Sequence, residues 1–125
     1  MFLHYLAIGL GGALGAMTRV ALSKLLIDNA WGVPFPILFI NILGCFLMGL
    51  ITAMMGSVWS ASEHARYFWI SGFLGGFTTF SAFALEVGLL FEKNQWLLAM
   101  TYIFLSVALS LIFFFIGLKF FRFLF

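Results

Sequence analysis

The chain has 125 residues, of which 65% are hydrophobic and only 8% charged, and its formal net charge is +2. Soluble domains average about 45–50% apolar and about 25% charged residues, so so little charge cannot cover a water-exposed surface of this size, and lipid is the solvent the surface fits. Six Lys and Arg against four acids are too few for the clustered basic stripe of a nucleic-acid binder; no nucleic-acid partner is expected, and the length suits one transmembrane domain spanning residues 1–125.

A membrane helix needs roughly 20 mostly apolar residues. Four stretches qualify, roughly 3–27, 34–58, 66–91 and 96–121. Runs such as Leu109–Phe115 do not alternate in polarity, which argues against the alternating segments of a membrane β-barrel. The expected fold is therefore an all-α integral membrane protein of four helices. The start, Met1-Phe2-Leu3-His4, has no Lys or Arg, and the apolar run that follows is too long for a signal-peptide core, so the first segment reads as a retained span.

The short connections are polar. Asp28 to Gly32 reads as a glycine-containing loop, Ser57 to Glu63 as the second and Glu92 to Asn94 as the third. Trp31, Trp59, Trp69 and Trp96 fall near the proposed ends, as an aromatic interfacial belt requires. Pro34 and Pro36 stand at the start of the second span, where a missing amide donor is harmless. Ser60 with Glu63 fits a capping box for the third helix. With four spans, Arg66, Lys119 and Arg122 fall on one side and Arg19, Lys24 and Lys93 on the other. This tie gives no net orienting signal under the positive-inside rule. Either one charge dominates, or copies insert both ways and pair antiparallel.

Polar residues within spans are costly and mark function by default. In the first span, Gly11 and Gly15 have the four-residue spacing of close helix packing. Arg19, later in that span, either snorkels to the interface or turns inward to cap carbonyls or attract anions at a pore mouth. In the second, Asn41 stands among Ile40, Ile42 and Leu43 and needs partners, either as interhelical glue or as a neutral donor in a pore. Cys45, the only cysteine, is expected to be a small packed hydrophobe. In the third, Gly75-Gly76-Phe77-Thr78-Thr79 weakens the helix at mid-membrane, and a break there would free the carbonyls of Gly75 and Thr78 to ligate a cation. Phe80 and Phe83 share a helical face. Glu86 lies late in the span and reads as an interfacial residue. In the fourth, Tyr102, Ser106 and Ser110 form one hydroxyl stripe, which either bonds to neighbouring helices or lines a polar path. His4 and His64 stand near span ends without evident partners. No catalytic constellation is visible, so no enzyme activity is expected.

Gly11–Arg19 (GGALGAMTR), Asn41–Phe46 (NILGCF) and above all Gly72–Phe83 (GFLGGFTTFSAF) resemble the motifs of the CrcB/Fluc family of small bacterial fluoride channels, and the resemblance covers essentially the whole chain. It implies a fluoride-selective channel of the bacterial inner membrane that lowers cytoplasmic fluoride by passive export. It further implies an antiparallel dual-topology homodimer with two fluoride pathways and a structural Na+ at its centre. Carried over, the Na+ ligands are the backbone carbonyls of Gly75 and Thr78. Asn41 matches the pore asparagine, and Phe80 and Phe83 match the phenylalanines lining the pathways. Tyr102, Ser106 and Ser110 are carried over as wall groups. Ala82 stands where the family often has Thr, which leaves Ser81 as the local hydroxyl. Fluoride is small and strongly hydrated, so neutral donors such as Asn41 and Ser81 suit its passage. Phenyl edges can face an anion without trapping it. The alternative is a small dual-topology, proton-coupled multidrug exporter. Such a protein needs a membrane-embedded Glu in its first span, and the stretch from Leu3 to Ile27 contains no acid.

Overall fold

The structure is a computed structural model and describes residues 1–124. Four helical stretches are long and apolar enough to cross a membrane: Phe2–Leu25, Phe35–Ser57, Glu63–Glu92 and Trp96–Leu124. Apolar sequence of this length forms helices in lipid because a helix satisfies its own backbone groups where no water is present to do so.

Helix α1 (Phe2–Leu25) leads into two short antiparallel strands, β1 (Asn29–Ala30) and β2 (Val33–Pro34), with Asn29 opposite Pro34. The first connection is therefore a small hairpin rather than an irregular loop. Its two turn residues, Trp31 and Gly32, both have positive φ, 55° and 87°. This is the twist that a two-residue hairpin turn requires, and it suits glycine. Helix α2 (Phe35–Ser57) starts behind Pro34 at its N-cap. The third stretch opens with α3 (Glu63–Arg66), whose cap is Ser62: its hydroxyl accepts from the Ala65 amide at 3.2 Å. The capping residue is thus Ser62 rather than Ser60, and Glu63 is the first helical residue rather than the third. A π-helical segment, Tyr67–Leu74, follows, then α4 (Gly75–Phe77) and α5 (Phe80–Glu92). Helix α6 (Trp96–Leu124) has 29 residues. At 1.5 Å per residue it is about 43 Å long, more than the hydrocarbon core needs, so its basic end reaches the interface with Lys119 and Arg122.

Two seams hold these helices together, and backbone contact makes both. A Cβ on Gly72 would lie 2.8 Å from Ile8 O and 3.0 Å from the Gly11 Cα, and one on Gly76 would lie 2.6 Å from Gly12 O. Gly11 and Gly15 in turn sit against Phe68 O and Phe73 O. The small-residue spacing seen in α1 thus joins α1 to the third stretch. Gly49 against Phe114 O, with Gly117 against Phe46 O, does the same for α2 and α6. The apolar core lies where β2, α2, α5 and α6 meet, around Val33, Leu38, Phe83, Leu90, Ala99 and Tyr102.

At the far end of α1, His4 is not alone. Its Nε2 is 3.4 Å from Glu63 Oε2, and its ring lies 4.7 Å from that of His64 and 4.9 Å from that of Tyr67. Two histidines that lack neighbours in sequence meet across the start of the third stretch.

Candidate functional site

The site begins with two residues that are not helical. Thr78 (φ −85°, ψ 155°) and Thr79 (φ −152°, ψ 121°) are extended, between α4 and α5. Gly75 and the residues up to Phe77 are helical, so the extended pair falls on the β-branched threonines and not on the glycines before them. Gly76 confers close approach to α1 here; the threonines, with their restricted side chains, accept extended backbone readily.

Extended backbone inside a membrane leaves amides and carbonyls to be satisfied, and side chains from two other helices do it. Asn41 Oδ1 accepts from the Thr79 N–H at 2.9 Å, and Asn41 Nδ2 donates to Thr79 O at 3.0 Å. A primary amide places an acceptor and a donor side by side, so one side chain pairs both backbone groups of Thr79. Arg19, half-buried, turns inward and donates through Nε to Gly76 O at 3.3 Å. Thr79 Oγ1 caps α5 by accepting from the Ala82 amide at 3.2 Å, and it lies 3.2 Å from Ser81 Oγ. In an unbroken α-helix the Thr79 and Ala82 amides would bond to Gly75 O and Thr78 O. Both amides are taken by side-chain oxygens, so both carbonyls have lost their usual helical donors.

Beside Thr78 and Thr79 lies a cavity of about 310 Å³ between α2, α5 and α6. Asn41 and Cys45, one turn apart on α2, face Ser106 and Ser110, one turn apart on α6. Phe80 and Phe83 form a third side, with ring centroids 5.3 Å apart at 56°. Their environments differ: Phe83 is 7% exposed, while Phe80 is 76% exposed on this chain. Among the described residues, the Ser106 and Tyr102 hydroxyls are buried without a hydrogen-bond partner. Buried polar atoms are nearly always paired, and of these two residues Ser106 is the one that lines the cavity.

The structure therefore brings together Asn41, Phe80, Phe83, Ser106, Ser110 and Thr78 around one space. It does not bring the remaining expected residues onto that wall. Tyr102 is fully buried, with its ring 5.2 Å from that of Phe83. Ser81 is exposed and turned to Thr79, Arg19 is bound to Gly76 O, and Gly75 faces outward. Four wall residues were not expected: the apolar Val107 and Leu111, and Thr79 and Cys45. Thr79 had no signal as a side chain. Cys45 had one, its position one turn after Asn41, but its apolar neighbours masked it; it is half-buried and lines the cavity, not a packed hydrophobe. Glu86 lies at the end of the molecule, around a separate space of about 200 Å³ shared with Asp28, Asn29, Lys93 and Gln95.

Comparison with known proteins adds an independent observation. The family described as CrcB-like protein, Camphor Resistance (CrcB), matches residues 6–118. The chain is 45% identical over 115 residues to a Legionella pneumophila protein, covering 90% of this chain and 85% of the relative. It is 40% identical over 121 residues to one from Rhizobium meliloti, covering 95% and 96%. It is 38% identical over 124 residues to one from Francisella philomiragia, covering 96% and 95%. Each of these relatives carries the name fluoride-specific ion channel FluC.

Proposed function

The chain belongs to the CrcB family, and on that premise we propose that it is a passive fluoride channel, a multi-pass protein of the bacterial inner membrane that lets the cell lose fluoride. The observation that carries this reading is the cavity between α2, α5 and α6, where neutral donors line an otherwise apolar space and the Ser106 hydroxyl has no partner among the described residues.

The chemistry follows from the ion. Fluoride must exchange water donors for protein donors at each step, yet must not be held tightly. Asn41 uses one amide hydrogen on Thr79 O; its second hydrogen is free to turn to an anion. The Ser106 and Ser110 hydroxyls extend the donor row along α6 by one turn. None of these groups carries a charge, so none holds fluoride as a buried Lys or Arg would. The edges of Phe80 and Phe83 present weak positive potential on the opposite side. No residue needs to change protonation, so flow is downhill, and a negative-inside membrane potential drives the anion out.

We also propose that the working unit is an antiparallel homodimer. Two observations support it: the tie of basic residues between the two sides, and Phe80, which forms part of the cavity wall but is 76% exposed on a single chain. A second copy would close that wall. The carbonyls of Gly75 and Thr78, without their helical donors, suit a hard monovalent cation, because oxygen dipoles are the ligands such an ion takes. One chain offers two of them and a two-fold partner would offer two more. Na+ held there would add fixed positive charge near the anion path. A proton-coupled exporter is the weaker reading, since α1 contains no Asp or Glu.

The test is fluoride efflux from liposomes containing the purified protein, against chloride efflux under the same gradient. Rapid fluoride loss with chloride retained is expected. Equal leakage of both ions, or none, contradicts the channel reading.

A further inference from the structure

We propose that Cys45 is a thiol of the anion path, and with it a covalent site for thiophilic soft cations such as organomercury and silver. The proposal rests on the channel reading above and goes beyond it, because it concerns a residue that the polar side chains of the path do not by themselves require.

Three observations place the thiol there. Cys45 lines the same cavity as Asn41, Ser106 and Ser110, one helical turn beyond Asn41 on α2. Ser110, on the facing helix α6, lines that cavity with it. Ser106 also lines the cavity; it is only 6% exposed, and its hydroxyl has no partner among the described residues. A thiol that shares a cavity wall with an amide and two hydroxyls belongs to a polar lining, not to a packed apolar seam. A thiol is a weak donor beside Asn41 and the serines, so an anion passes it without being trapped. The same sulfur binds soft metals far more readily than amide or hydroxyl oxygen does.

The covalent step is a simple exchange. The Cys45 S–H bond breaks, an S–Hg bond forms with the phenylmercury cation, and the proton leaves to water; nothing is oxidised or reduced. The product sets an aryl group among the donors of the path. A strongly hydrated anion then meets an apolar obstruction where it needs donors.

Cys45 is the only cysteine, so wild-type protein is its own site-specific probe. The purified, reconstituted channel is treated with phenylmercuric acetate, with intact mass and fluoride efflux read from the same sample. The expected result is one adduct per chain, a loss of flux of at least about tenfold, and recovery of both mass and flux after excess dithiothreitol. In Cys45→Ser protein, whatever its own flux, the ratio of treated to untreated flux stays at one. If the folded protein takes no adduct, or takes it while flux persists, the proposal is overturned. If untreated protein shows no fluoride flux, the channel reading fails instead. Adduct formation in the folded state then still decides whether the thiol faces an open cavity.

Discussion

Helices α2 and α6 meet twice, and the two meetings are built differently. Toward one end, Gly49 and Gly117 bring the backbones into contact, each glycine against a carbonyl of the other helix. Toward the other, the same two helices present Asn41, Cys45, Ser106 and Ser110 to an open space of about 310 Å³. Where glycine removes the side chain, the helices close; where polar side chains remain, they stay apart, and the Ser106 hydroxyl between them has no partner among the described residues. In lipid there is no hydrophobic drive to press helices together, so packing detail of this kind decides where a membrane protein is sealed and where it is open.

The largest effect is expected from breaking the closed meeting. A Cβ at Gly49 would strike Phe114 O and Leu118 N lies 3.0 Å away, and backbone cannot turn aside. Gly49→Leu should lose more than the ~1–3 kcal/mol usual for overpacking. Little folded protein should be recovered on size-exclusion chromatography in detergent. Recovery of normal amounts would mean that the seam is softer than its geometry implies.

On the open side, Phe80→Ile and Phe83→Ile should both cut fluoride flux per reconstituted protein by at least about tenfold, because each removes a ring edge from the wall. Their stabilities should differ. Phe83 packs on Tyr102 within the core, so its loss should cost roughly 1–2 kcal/mol. Phe80 is exposed on the chain, so its replacement should hardly move the monomer's thermal midpoint. Phe115→Ile, on an exposed ring outside the cavity, serves as the control and should leave efflux at the native rate. Native flux in both cavity variants would return these rings to ordinary packing.

Asn41→Ala should sit between these cases. It removes both partners of the Thr79 backbone groups, and unpaired buried groups cost about 1–3 kcal/mol each. Flux and thermal midpoint should fall together. A variant with native stability would mean that another group, or water, takes over Thr79. The smallest effect is expected far from both meetings. His4 is paired with Glu63, a residue 76% exposed at its side chain, and such surface pairs contribute about 0–1 kcal/mol. His4→Ala should change neither efflux nor midpoint beyond that. A loss of flux in this variant would show that the histidine end of the molecule is coupled to the path.

The four apolar stretches were legible because length and hydropathy suffice to define a helix that lipid will accept. So were polar residues of the cavity wall, since Asn41, Ser106 and Ser110 are costly where they stand. What the sequence did not reveal was partnership across helices. Asn41 sits 38 residues before Thr79, and nothing local says that it pairs with that backbone. Two threonines, not two glycines, carry the extended backbone, while Gly76 is used for contact with α1, a tertiary demand that adjacent residues do not reveal. Ser60 fitted a capping box by its spacing from Glu63, but the cap is Ser62, directly before Glu63, because the helix starts at Glu63 itself. Cys45 read as apolar among apolar neighbours, although its spacing from Asn41 already placed it on the same face. Tyr102 shares a stripe with Ser106 and Ser110, yet its larger side chain carries it behind Phe83.

The central claim is that the open meeting of α2 and α6 is the anion path, and Ser106 tests it most directly because path and packing predict opposite signs. Its hydroxyl is buried with no partner among the described residues, and such a group costs about 1–3 kcal/mol when nothing bonds to it. Ser106→Ala should therefore raise the thermal midpoint in fluoride-free buffer while lowering fluoride efflux from liposomes. A variant that is less stable and conducts at the native rate would contradict the account, because the hydroxyl would then serve the fold and not the ion.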